Sequence, residues 1–266
     1  MTLLQISLLL LSVNGQPSVF GDLSGDGTIS AGLLEDLAPV AAQAAAVEGA
    51  DIAVGLVDME TGERLVVGEE GPLDMGNPEL PVVACAVDLT LQGAASLEDT
   101  PGRDESAADL IRETARGRAD PGINLQHYIG DEAFFAWLEE TGLAGTEYHG
   151  FQLHFDRAPA VDQNYTTIAD MLTMLEVLNR GLDQPEIRRL LRHDFPAGPA
   201  ILAEAEGVVP YGISTFEEEG ESIGAIGVLP DGSRVGVAVI ASQPCCAGKG
   251  ELAFRMVWSE LQQGVR

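Results

Sequence analysis

Residues 80–91, Leu-Pro-Val-Val-Ala-Cys-Ala-Val-Asp-Leu-Thr-Leu, constrain the fold of this chain more than any other segment. They read as a helix, and a helix apolar around almost its whole circumference has no side to show to water. It must lie at the centre of the molecule, with other elements covering it. Candidates for that cover stand on both sides in the sequence. Residues 29–48 carry Leu33, Leu34, Leu37, Val40 and Ala41 at helical spacing, with Ser30 placed to cap the start. Residues 52–58 alternate as a strand, 59–63 form a turn and 64–67 return as the hairpin partner. Residues 106–146 are helical with breaks at Gly117, Pro121-Gly122 and Gly130, and Phe134, Phe135, Trp137 and Leu138 form an apolar face there. Another amphipathic helix spans 167–178. Strands at 224–229 and 235–240 flank the turn Pro230-Asp231-Gly232-Ser233. The final helix, 251–262, offers Leu252, Phe254, Met256, Val257 and Leu261 for burial. Strands near both ends with helices between them predict one α+β unit whose two hairpins join a single antiparallel sheet. The acidic run Glu217-Glu218-Glu219-Gly220-Glu221 reads as a solvated turn, and no internal repeat is present.

Charge narrows the partners. Forty-two acidic residues against fourteen basic ones give a formal charge of −28, and the only lysine is Lys249. Such a field repels nucleic-acid phosphates and anionic membrane surfaces. Residues 3–13 have the length of the apolar core of a signal peptide but lack a preceding basic residue, and they are too short to span a bilayer. No other segment is long enough to be a transmembrane anchor. The expected location is extracellular or the cell envelope, with the cytoplasm left open. Of the three cysteines, Cys85 reads as a small core residue. Vicinal Cys245 and Cys246 bridge each other only with strain, and a bridge from Cys85 to either is left open.

Several local motifs occur in one order. Asp58-Met59-Glu60-Thr61-Gly62 has the form D-x-x-T-G, and Leu80-Pro81-Val82-Val83-Ala84 the form L-P-V-x-A. Trp137-Leu138 is followed by Thr141-Gly142-Leu143 and Thr146, and Thr166-Thr167 by Met171. Phe195-Pro196-Ala197-Gly198 precedes Tyr211-Gly212. In this order and spacing the chain resembles the class A serine β-lactamases and the related penicillin-binding DD-peptidases. The resemblance covers roughly residues 30–264. It implies an antiparallel sheet from N- and C-terminal strands with a central helical block. The expected organisation is a domain at 29–266 behind an N-terminal extension or signal segment at 1–28.

The same alignment places unusual residues where the family carries its chemistry. The family's nucleophilic serine and its lysine, Ser-x-x-Lys, fall on Gly76 and Glu79. Ser-Asp-Asn falls on Arg118-Ala119-Asp120, and a shift of one residue still gives no hydroxyl. The general-base glutamate of the Ω-loop falls on Pro159. Lys-Thr-Gly falls on Glu204-Ala205-Glu206, whose carboxylates would repel a substrate carboxylate. The expectation is a catalytically inactive β-lactamase-like protein, monomeric, with a binding or scaffold role toward an unidentified ligand or protein partner. The alternative is a divergent hydrolase of β-lactams or cell-wall peptides.

Other constellations compete with blander readings. Asp22, Ser24 and Asp26 match the opening of an EF-hand-type calcium loop, but its twelfth position is Leu33 rather than an acid. A calcium-linked interaction module is the third functional reading, set against an Asp/Gly-rich turn; no other cofactor is expected. His149, His154 and Asp156 have generic spacing for a metal site. Glu79, Glu204 and Glu206, if convergent, would bind a cation or a cationic ligand or work as a carboxylate pair in hydrolysis, set against an abandoned cleft that drifted acidic with the rest of the surface. Ser214, Thr215 and Ser242 lack a recognisable base, and Phe134, Phe135 and Trp137 read as core.

Overall fold

A computed structural model describes residues 32–76, 78–101, 105–151, 163–192, 209–216, 220–229, 232–242 and 248–264. Among them the order is α1 (Leu33–Ala45), β1 (Asp51–Asp58), β2 (Arg64–Gly68), β3 (Leu73–Asp74), α2 (Glu79–Leu91), α3 (Ala107–Ala115), α4 (Ala119–Ile129) and α5 (Asp131–Thr141). There follow β4 (Tyr165–Thr166), α6 (Ile168–Gly181), α7 (Pro185–Leu191), β5 (Val209–Phe216), β6 (Gly220–Val228), β7 (Arg234–Ser242) and α8 (Lys249–Gly264).

Five strands form one antiparallel sheet in the order β2-β1-β7-β6-β5, so strands from the two ends of the chain meet at its centre. Val54 of β1 stands opposite Val67 of β2 and Val239 of β7. One face carries Ile52, Val54, Leu56, Val237 and Val239 against α1 and α8, where Leu37, Phe254 and Trp258 are buried. The other carries Ala53, Val57, Ile226, Ala238 and Ile240 against the helical block. Helix α2 lies inside that block, buried from Glu79 through Asp88 and in contact with α3, α4, α5 and α6. The antiparallel sheet and the enclosed central helix both match the reading of the sequence.

Several details differ. β1 is buried on both faces rather than alternating, because helices cover each side of the sheet. Helix α1 begins after Gly32 and stops at Ala45, short of residue 48. Pro121 and Gly122 do not break the helical stretch: Pro121 sits in the first turn of α4, where a missing N–H leaves no bond unmade. β5 and α7 are elements beyond those read from the pattern, and β5 turns the second hairpin into a three-stranded meander. In α8, Ala253 and Trp258 are buried while Leu252 and Met256 are only half-buried. Phe135 is 49 % exposed, its ring edge-on to Phe134, so it is not core.

Glu221 overturns the reading of its segment as a solvated turn. It is the second residue of β6 and is buried, and its carboxylate accepts N–H bonds from Gly248, from Gly250 at 2.7 Å and from Glu251 at 3.2 Å. An anion there balances the positive amino end of α8. Asp88 plays a comparable part in the helical block, accepting from Trp137 Nε1 at 3.0 Å and from Arg180 at 2.9 Å.

Cys85 carries a free thiol in α2. Burial, with a smaller contribution from the Asp88 carboxylate, pushes its pKa up to about 12. Only the thiolate is nucleophilic, so iodoacetamide at neutral pH is expected to leave Cys85 unmodified in the folded protein and to alkylate it in urea. Mass spectrometry of the Cys85 peptide checks this.

Candidate functional site at the head of the central helix

The position expected for the nucleophile lies in the turn between β3 and α2. β3 pairs with β4, which fixes the entry to the turn. The Met75 N–H then donates to the Asn164 carbonyl at 3.0 Å, and the Ser222 hydroxyl donates to the Met75 carbonyl at 2.9 Å. The Gly76 N–H donates to Asp74 Oδ1 at 2.8 Å, and Asn164 Nδ2 donates to the Gly76 carbonyl at 3.0 Å. Gly76 is buried with φ of 68°, in the left-handed region where a side chain is strained. Glu79, at the lysine position, opens α2 and is 1 % exposed. A buried glutamate thus stands where the resemblance expects the lysine, and a glycine where it expects the serine.

Asn164 organises this region. It is fully buried, and besides Gly76 it donates to the Gly150 carbonyl at 2.9 Å, while its Oδ1 accepts the His149 N–H at 2.8 Å. One side chain thus ties the turn, the 149–150 loop and the approach to β4. His149 is tied to this region through its backbone N–H.

Arg118, Ala119 and Asp120 lie at the amino end of α4, a helix in contact with α2. Arg118 is the N-cap residue, and its guanidinium pairs with Glu113 at 3.0 Å. With Glu105, Pro121 and Asn124 these three line an open cavity of about 510 Å³. Gly76 and Glu79 do not line it. Beside it, a Cβ added to Gly122 would meet the Phe151 ring at 2.3–2.5 Å. The Gly122→Ala variant is therefore expected to lose about 1–3 kcal/mol of stability in urea titrations, because the aromatic ring must move aside.

The structure brings Gly76 and Glu79 into one segment and sets Arg118, Ala119 and Asp120 along one cavity. Pro159, Glu204, Ala205 and Glu206 lie outside the described residues. So do Asp22, Ser24, Asp26, His154, Asp156, Cys245 and Cys246. Ser214 and Thr215 are registered opposite Ile223 and Ser222. Ser242 ends β7 and is buried. Among the described residues, no group of three or more His, Cys, Asp or Glu side chains is placed to hold a metal ion, and no helix is long and apolar enough to cross a membrane. Asp74, Asn164 and Ser222 were not singled out in the sequence. Asp74, two residues before a glycine, carried the one local signal, since an aspartate accepting the N–H two positions ahead is a common turn device.

No family model and no curated protein matches the chain. Solved structures do. The β-lactamase from Sphaerobacter thermophilus superimposes with a TM-score of 0.64 at 17% identity, over 86% of this chain and 96% of that one. The TLA-3 extended-spectrum β-lactamase gives 0.68 at 14% identity, covering 86% of this chain and 98% of its own. PBP-A gives 0.65 at 14% identity, covering 87% and 96%. Identities this low speak to architecture alone, and the near-complete coverage of each neighbour makes that conclusion specific: this chain has the fold shared by the class A β-lactamases and PBP-A.

Proposed function

We propose that the protein uses the β-lactamase fold without acyl-transfer chemistry, as a binding or scaffold protein. The observation that carries this reading is the turn at Gly76. Covalent catalysis of acyl transfer needs a nucleophile and a group to manage its proton. Here the first position is a buried left-handed glycine and the second a buried glutamate. Removing a nucleophile from such a site forfeits several powers of ten in rate. Among the described residues, Ser222 is the serine bonded to this turn, and its hydroxyl is spent on the Met75 carbonyl.

A fluorescent penicillin is expected to leave the folded protein unlabelled, and nitrocefin turnover is expected to equal that of a heat-denatured sample. Labelling or turnover that disappears on denaturation would overturn the reading in favour of a divergent hydrolase acting on β-lactams or cell-wall peptides.

A further inference from the structure

We infer that the open edge of β2 is a docking surface for an extended segment of a partner protein rich in lysine or arginine, which joins the sheet as a further antiparallel strand. The inference uses nothing at the head of α2, so β-lactam turnover by the unmodified protein would leave it standing. β2 ends the sheet and pairs with β1 alone. The Asp58 N–H donates to the Glu63 carbonyl at 2.9 Å, and the Glu69 N–H to the Ile52 carbonyl at 3.2 Å. These two bonds set the alternation of the antiparallel ladder, so Leu65 and Val67 turn their backbone groups toward β1. Arg64 and Val66 turn theirs outward, and among the described residues no hydrogen bond reaches these outward groups. Two residues so placed offer two donors and two acceptors to an incoming strand. Gly68, with φ of 100°, ends the extended edge.

The side chains say what kind of strand fits. Arg64 leans on α6, where its guanidinium pairs with Glu176 at 2.8 Å and donates to the Thr173 hydroxyl at 3.1 Å, so its charge is already met. Val66 is 43 % exposed. Glu63 and Glu69 flank the strand, exposed, and Glu60 and Glu70 continue the acidic border. Among the described residues none of these four carboxylates is in an ion pair. A second copy of this chain is a poor occupant. Antiparallel pairing centred on Val66 would set Glu63 of each copy against Glu69 of the other, and each copy carries a formal charge of −28. The same carboxylates complement a strand that alternates cationic side chains with apolar ones, the apolar ones lying beside Val66.

The probe is a fluorescein-labelled Lys-Val-Lys-Val-Lys-Val-Lys peptide in three forms of equal charge: unmodified, N-methylated at the valines, and N-methylated at the inner lysines. With valines opposite Arg64 and Val66, the valine N–H groups face β2 and the lysine N–H groups face solvent. Fluorescence anisotropy at low ionic strength is expected to show the unmodified and lysine-methylated forms binding alike. The valine-methylated form is expected to bind roughly tenfold more weakly. The Val66→Pro variant removes one outward N–H and no bond to β1, and is expected to weaken binding of the unmodified peptide to a similar degree. Absence of binding, equal binding of all three peptides, greater sensitivity to lysine methylation, or full binding to Val66→Pro overturns the inference. Equal or full binding would mean that the peptide only clings to acidic surface. Should Val66→Pro fail to fold, the three peptides on the unmodified protein still decide.

Discussion

Replacing Glu221 by alanine is expected to lower the unfolding free energy by roughly 2–4 kcal/mol, one of the two largest losses for a single substitution outside the apolar core. The carboxylate accepts three backbone N–H bonds at the first turn of α8, and Gly250, one of the donors, is itself buried. Removing it leaves those donors without a partner and strips the helix end of its compensating charge. The Glu221→Gln variant keeps one acceptor oxygen but loses the charge and turns its amide NH2 toward one of the backbone donors, so its loss is expected to be smaller than that of alanine without vanishing. Urea denaturation of both variants, followed by circular dichroism, checks the ranking. Equal stability of all three proteins would show that α8 does not depend on this contact.

Asn164→Leu is expected to cost about 2–5 kcal/mol, since it leaves the Gly76 and Gly150 carbonyls and the His149 N–H unpaired at a fully buried position of similar volume. The Asn164→Asp variant separates packing from polarity. Its carboxylate still accepts from His149 but turns an acceptor toward two carbonyls, which disfavours the charged form and raises the pKa of the new carboxyl in the folded state. A raised folded-state pKa contributes stability below the unfolded value and withdraws it as pH rises through the folded one. The aspartate variant is therefore expected to approach the parent at acidic pH and fall away toward neutrality, as the leucine variant does not. Thermal unfolding of the three proteins across that range reads the difference.

The architecture was legible where burial alone decides structure. The continuous apolar run of α2 and the valine- and isoleucine-rich strands β1 and β7 announce themselves because each is enclosed on nearly every side. β5 was not legible as a strand because Pro210 and Gly212 interrupt any apolar alternation, and its pairing with β6 defines it. Polar residues proved hardest. Glu221 ends an acidic run and looks like surface; only its partners 27–30 residues away show it as a buried cap. Asn164 lies 88 residues from Gly76, with nothing in its neighbours to mark the contact. The candidate site was legible as a departure from a motif. That Gly76 is buried and hydrogen-bonded through both its N–H and its carbonyl, while Arg118 to Asp120 border an open cavity, emerged only from the fold.

The pairing of β1 with β7 bears on how the molecule comes into being. All eight residues of β1, Asp51 through Asp58, find partners between Val235 and Ser242, nearly the whole domain later in sequence. A chain growing from its amino end can complete the β1–β2 hairpin early, but that hairpin keeps an open edge and an uncovered apolar face until β7 has been made. Throughout synthesis of the helical block, the most adhesive surface of the sheet waits for its neighbour. Maturation of this protein is therefore a race between late strand closure and aggregation, and the strong mutual repulsion of chains carrying a charge of −28 favours closure.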